Sequence, residues 1–160
     1  MIEAHERDRG PAFELYALGL DHKHVPEIMR HGGLGRRPVF VPSVGHFAQG
    51  MLVSVPLHLA ALPGRPEAGD LRAALAKHYA GSRYVGVAAE APARLQPEAL
   101  NGTNRMDLHV AVDRTGAQAV LIARLDNLGK GASGAAVQNI RLMLGLPTER
   151  EQPAKESAHA

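Results

Sequence analysis

An α+β domain is what this chain predicts, and three observations carry that prediction. "RMDLHVAVD" sets Met106, Leu108, Val110 and Val112 against Asp107, His109 and Ala111, the period of two of a half-buried strand. "PEAGDLRAALAKHYAG", residues 66–81, instead brings Leu71, Leu75, Ala76 and Tyr79 together at helical spacing. Strands and helices follow one another without the regular β-α-β alternation that a doubly wound sheet requires.

The elements can be justified in order. "AFELYALGL", Ala12 to Leu20, is an apolar-rich run that reads as a strand, and polar "DHKHVPE" follows it. Pro26 suits the first turn of a short helix, where its missing N–H would be unsatisfied anyway, so residues 27–31 are expected to be helical. The glycines of "HGGLGRRP" mark a loop. "VFVPSV" and "GMLVSVPLHLAAL" are β-branched and apolar, hence strands. Pro42 and Pro56 remove ladder donors, which places each on an edge or at a bulge. After the helix within residues 66–81, "RYVGVAAE" reads as a strand and "ARLQPEALNGTN" as a long connection. The turn "RTG" joins the alternating strand to "AQAVLIARLD", making a hairpin. From Ala132 to Leu144 a last helix is expected to bury Ala135, Ala136, Ile140, Met143 and Leu144 and to expose Gln138, Asn139 and Arg141. The tail from Thr148 has little to bury and is expected to be disordered.

Bulk composition narrows the function classes. A chain of 160 residues, 45% of them hydrophobic, can bury about 70% of its unfolded surface. Eighteen Lys and Arg against sixteen Asp and Glu, scattered along the chain, make no electrostatic case for nucleic acid or a membrane surface. No apolar run approaches the roughly 18 residues that span a bilayer, and "MIEAHERDRG" is too charged for a secretory signal, so a soluble cytoplasmic protein is expected. With no cysteine, the chain cannot supply a thiolate nucleophile or a thiolate metal ligand.

Two motifs invite chemistry. Gly129, Gly131 and Gly134 have the G-x-G-x-x-G spacing of a dinucleotide-binding turn between an apolar run and a helical pattern. The unit lacks its second strand, however, and Glu149, at the spacing of the ribose-binding acid, sits in a polar tail. A P-loop fails as well, because Gly131 stands where Ser or Thr should follow Lys130. Two readings remain open: a glycine-rich cap that lets helix and strand pack closely, or free helix-start N–H groups beside Asn127 and Lys130 that touch an anionic or amide-bearing ligand.

The second motif, "DHKHVPE", gathers Asp21, His22, Lys23, His24 and Glu27. On an extended segment His22 and His24 would face the same side, with Glu27 folding back to orient one imidazole, a recurring acid/base arrangement. Lys23 would bring a cation to an anionic substrate. The alternatives are solvent-exposed loop histidines or a His-x-His metal pair, and the metal reading lacks a third ligand of known spacing, so no metal is expected.

Three segments, "YALGLDHKHVPEI", "FVPSVGHFAQGMLVSVPLHL" and "LDNLGKGASGAAVQNIRLMLGLP", resemble in order and spacing the C-terminal half of N-acetyl-gamma-glutamyl-phosphate reductase. "NGTNRMDLHVAVD" is similar to that family's penultimate strand, and the resemblance runs from Phe13 to Pro147. It implies a mixed, largely antiparallel sheet with helices on one face, like the C-terminal domain of glyceraldehyde-3-phosphate dehydrogenase-like enzymes. It further implies residues 1–147 as a substrate-binding and dimerisation domain, residues 148–160 as a tail, a homo-oligomer, and a C-terminal helix that returns to a nucleotide-binding half absent from this chain.

The activity implied is reduction of an acyl phosphate to a semialdehyde with NADPH, in arginine biosynthesis, through a cysteine thioester. By resemblance His22 is the acid/base, His24 its reserve, Glu27 the nearby carboxylate, Lys23 a substrate contact, and Asn127 of the D-N-L turn a neighbour of the nicotinamide. The family's Arg-Gly pair is Gln49-Gly50 here, which departs from the pattern at position 49. The isolated chain is expected to be inactive. A non-catalytic oligomerisation or binding module derived from the same domain is the competing expectation.

Overall fold

The computed structural model describes residues 11–147. They group into two compact units, one up to Ala48 and one from Gln49 onward, each with its own sheet. The tail from Thr148 lies outside the described residues.

In the first unit, β1 (Phe13–Leu15) pairs antiparallel with β2 (Ser43–Gly45), Phe13 opposite Gly45. The strand expected through Leu20 stops at Leu15, because Ala17 and Leu20 take left-handed backbone, φ 51° and 57°, which no pleated strand accommodates. The Leu20 N–H turns back to the Ala17 carbonyl at 2.9 Å. Of "VFVPSV" only the end joins a strand; Pro42 precedes β2, and its carbonyl accepts the Tyr16 N–H at 3.1 Å. Helix α1 (His24–Gly32) begins three residues earlier than expected, with Pro26 in its first turn. Val25, fully buried, anchors it, and the Leu34 N–H closes its end on the Met29 carbonyl at 3.0 Å.

The second unit holds a four-stranded sheet of β3 (Met51–His58), β4 (Val85–Val87), β5 (Met106–Val112) and β6 (Gln118–Leu125), in the order β3-β6-β5-β4. Only the β4–β5 pair is parallel. The expected hairpin is β5–β6, with Val110 opposite Leu121. Its turn is tied by Asp113, whose carboxylate accepts the Gln118 N–H at 2.8 Å and the Thr115 N–H at 3.1 Å. Pro56 sits on β3, an edge strand, opposite Val120 of β6.

Helix α2 (Ala68–His78) lies where the periodicity predicts it. The Glu67 N–H donates to the Asp70 carboxylate at 2.9 Å and satisfies one donor at its start. Leu71 and Leu75 pack with Leu57, Leu62, Ala68 and Leu121 against buried Leu59, Val110 and Ala119, so α2 covers one face of the sheet. Full burial of a leucine side chain contributes about 1.5–3 kcal/mol, and this cluster is what fixes the hairpin's inward face. The opposite face carries Asp107, His109 and Arg124. His109 is buried there, at 5% exposure, with no hydrogen-bond partner on either ring nitrogen among the described residues.

Helix α3 (Gly134–Met143) follows a wide turn over Gly129–Ser133. In that turn the N–H groups of Gly131 and Ser133 reach back five residues, to the carbonyls of Asp126 and Leu128 at 2.9 and 3.0 Å. The faces of α3 depart from the expectation, although Asn139 is exposed as expected and Ala135 is half-buried. Ile140, Met143 and Leu144 are exposed, Met143 at 85%, while Gln138 and Arg141 turn toward a cavity. The reason is polar: Gln138 Oε1 accepts from both the Asn104 side-chain amide and the Lys130 ammonium, each at 3.2 Å, and that pairing sets the helix rotation.

Candidate active site

The histidine motif lies on the step from a turn into α1. His22 precedes the helix, half-buried, and its Nδ1 accepts the backbone N–H of His24 at 3.2 Å. That bond selects the tautomer of the neutral ring, since an accepting Nδ1 leaves the proton on Nε2. Aromatic neighbours hold the ring: Tyr16 edge-on at 5.9 Å between centroids, Phe40 at 5.3 Å and His24 at 4.7 Å. Nε2 makes no bond among the described residues, so it is the nitrogen available to donate to a substrate oxygen.

Two expectations about this motif need correction. His24 is helical, not part of an extended pair with His22, because the chain enters α1 at that residue. Glu27 lies beside the second histidine and orients neither by a hydrogen bond: its carboxylate is 4.0 Å from His24 Nε2, three residues away along the helix, and it makes no bond to His22 among the described residues. Both partners are about half exposed or more, which limits the strength of that pair. Lys23 is exposed at the helix start and makes no hydrogen bond among the described residues. The aromatic partners Tyr16 and Phe40 were missed. Each is an isolated ring in an apolar run, and nothing local says that a histidine lies against it.

The glycine motif lies in the second unit and resolves as packing. Asp126, at 1% exposure, is its centre. Its carboxylate accepts the Gly102 N–H at 2.7 Å, the Leu128 N–H at 2.8 Å and the Gln49 side-chain amide at 2.9 Å. Burial works to raise its pKa, but the N–H groups of Gly102, Gly129 and Leu128, with Gln49, outweigh it and hold the carboxyl below its ordinary value. The N–H groups that begin the turn are thus already satisfied by an anion of the protein, so they form no phosphate cradle. The glycines serve close approach. A Cβ on Gly129 would stand 2.5 Å from the Thr103 carbonyl, and one on Gly134 2.7 Å from Asn104 Oδ1. The close-packing reading of the motif is the one the geometry supports.

Asn127 extends the same arrangement. Its Oδ1 accepts the Gly50 N–H at 2.7 Å, while its NH2 group makes no hydrogen bond among the described residues. A nicotinamide presents a carboxamide oxygen that such a donor fits, so one edge of Asn127 is compatible with the role expected of it. Among the described residues nothing forms the diphosphate-binding part of a dinucleotide site. Beside the turn lies a cavity of about 490 Å3 lined by Gln49, Tyr84, Asn104, Asp126, Gln138 and Arg141 among others. Lys130 approaches Tyr84, its ammonium 5.4 Å from the ring centroid, and burial lowers its pKa. Position 49 thus supplies a neutral donor to Asp126, the side-chain amide of Gln49.

Asp126 was not singled out in the sequence, and Gln49 was noted only as a departure from the pattern at position 49. The available signal at Asp126 is an acidic residue closing an apolar strand three positions before a glycine, which is where an Asp caps the backbone of a following turn. Gln49 is 77 residues from its partner and offers no local signal. Among the described residues no group of three or more His, Asp or Glu side chains is arranged to hold a metal ion, and no helix is long and apolar enough to cross a membrane.

Comparison with known proteins agrees over most of the chain. Residues 2–127 match the family described as "Semialdehyde dehydrogenase, dimerisation domain". The N-acetyl-gamma-glutamyl-phosphate reductase 2 of Pseudomonas putida is 50% identical over 151 residues, covering 90% of this chain and 48% of that protein. The N-acetyl-gamma-glutamyl-phosphate reductase of Burkholderia orbicola is 50% identical over 141 residues, covering 86% and 45%. That of Trichormus variabilis is 45% identical over 156 residues, covering 91% and 48%. The chain spans about half the length of the curated relatives it matches. By the match over residues 2–127, it belongs to the semialdehyde dehydrogenase dimerisation-domain family.

Proposed function

We propose that this chain is the substrate-binding and dimerisation half of an NADPH-dependent reductase that converts N-acetyl-glutamyl phosphate to the semialdehyde. The observation that carries this reading is the His22 ring, held by the His24 N–H on one nitrogen with the other left to donate. The identity of about half to reductases of that name supports it.

In this reading a thiolate from outside the chain displaces phosphate to give a thioester. NADPH, when bound, supplies the hydride that turns the thioester into an aldehyde. The contribution of this chain is to hold and move a proton. His22 Nε2–H donates to the carbonyl oxygen as negative charge gathers there, with His24 as the reserve. Lys23 attracts the anionic substrate, and the Asn127 NH2 group faces the nicotinamide amide. The exposed apolar side of α3, with Ile140, Met143 and Leu144, supports its docking against the nucleotide-binding half, and a homo-oligomer accords with the family's description.

The test is reconstitution. The chain alone should oxidise no NADPH with acyl phosphate present, and addition of a nucleotide-binding half carrying the cysteine should restore turnover. Turnover by the chain alone, with no thiol present, would overturn the thioester route. A second reading, an oligomerising module without chemistry, is favoured by the lack of any cysteine. It predicts stable oligomers that never gain activity on reconstitution.

A further inference from the structure

We infer that Arg37 is a positioning residue for His22. It holds the backbone turn that delivers the imidazole, and the inference rests on the reading of His22 as the proton donor.

Between the end of β1 and the start of α1 the chain turns through Ala17 and Leu20, both non-glycine residues with φ near 50°. Such conformations cost energy and persist only where neighbouring groups hold them. Two contacts do so here. The Leu20 N–H donates to the Ala17 carbonyl at 2.9 Å. From a segment 17 residues further on, Arg37 donates one guanidinium nitrogen to the Leu20 carbonyl at 2.8 Å and to Asp21 Oδ1 at 2.9 Å.

Arg37 thus grips the two residues immediately before His22. His22 is gripped again on its far side, where its carbonyl accepts the Val25 N–H at 2.9 Å and its Nδ1 the His24 N–H. Of these clamps only the Arg37 one comes from distant sequence. The Arg37–Asp21 ion pair is solvent-exposed, with Asp21 90% exposed, so it contributes little to stability. The contact to the Leu20 carbonyl is different in kind, since it fixes a peptide plane in a strained turn. Arg37 therefore acts on where His22 points rather than on whether the protein folds.

The experiment follows His22 by NMR in the full chain, where Tyr16 and Phe40 displace its ring-proton shifts from those of a free histidine. Arg37→Met should lose at least half of that displacement, while the thermal midpoint and the β3–β6 amide signals stay at their wild-type values. Arg37→Lys, which can still reach the Leu20 carbonyl, should recover most of the displacement, and Asp21→Asn should leave it unchanged. Wild-type His22 shifts in Arg37→Met would overturn the proposal. So would an effect of Asp21→Asn as large as that of Arg37→Met. If Arg37→Met fails to fold, Arg37→Gln decides by the same two readouts.

In the reconstituted enzyme, Arg37→Met should lower kcat about tenfold, as expected for a displaced catalytic group, with KM within about twofold. A failed reconstitution counts against the proposed reaction and leaves the shift measurement standing, so the two failures are told apart.

Discussion

The carboxylate of Asp126 accepts the side-chain amide of Gln49 at 2.9 Å, joining the end of β6 to a residue two before β3 across 77 positions of sequence. With the backbone N–H groups it also accepts, Asp126 is the point on which the loop at Gly102, the turn at Gly129 and the start of β3 converge.

Replacing that carboxylate by an amide keeps the shape and loses the charge, and turns an NH2 group toward donors. Asp126→Asn should therefore destabilise the fold by about 3 kcal/mol at pH 7, read as a shift of the denaturation midpoint. The penalty depends on pH. The folded carboxyl titrates below its ordinary value, so its stabilisation is complete above about pH 4 and fades as pH falls toward the folded pKa. The gap between wild type and variant should narrow as pH falls below about 4. A gap that widens would contradict the assignment.

Close packing makes a second prediction. Gly129→Ala would drive a methyl to 2.5 Å from a backbone carbonyl and should cost about 2 kcal/mol. Gly131→Ala meets nothing nearer than 3.5 Å and should be neutral or stabilising by about 0.5 kcal/mol. Equal effects of the two substitutions in chemical denaturation would show that the glycines serve something other than close approach.

On the sheet face away from α2, Arg124 donates to Asp107 at 3.0 Å beside buried His109. Burial first, and the Arg124 charge second, lower the His109 pKa, while Asp107 opposes them. Arg124→Met should move the His109 titration upward, yet leave it below about 6.5 because burial remains. A folded pKa below the unfolded one means that the unfolded chain binds the extra proton, so wild-type stability should decline as pH falls from about 6.5 toward the folded pKa. Titration of the ring protons checks the first statement and denaturation across that range the second.

The two histidines should separate kinetically in the reconstituted enzyme. His22→Asn should lower kcat by about 100-fold or more, the usual contribution of a positioned acid/base. His24→Asn keeps the backbone N–H that serves His22 and should cost about tenfold at most. Glu27→Gln, whose partner is His24 and whose side chain is exposed, should change kcat by less than about twofold. A larger loss at His24 than at His22 would exchange their roles.

By itself the sequence determined whatever is written within a few residues. The β5–β6 hairpin follows from alternation around a turn, α2 from Leu71 and Leu75 at helical spacing, and the edge position of Pro56 from its missing N–H. The histidine motif was legible in the same way, because all its members lie within seven residues.

Tertiary structure alone decided which group pairs with which. Where helix α1 begins fixes Glu27 beside His24 instead of His22. The rotation of α3 is set by Asn104 and Lys130 meeting Gln138, which leaves its apolar side uncovered. Asp126 takes the Leu128 and Gly129 N–H groups at the start of the glycine turn, and Arg37 reaches back to Leu20. The physical reason is common to the last three: hydrogen-bond geometry is satisfied over about 3 Å in space, and residues far apart in the chain can meet that distance without any local pattern to announce it.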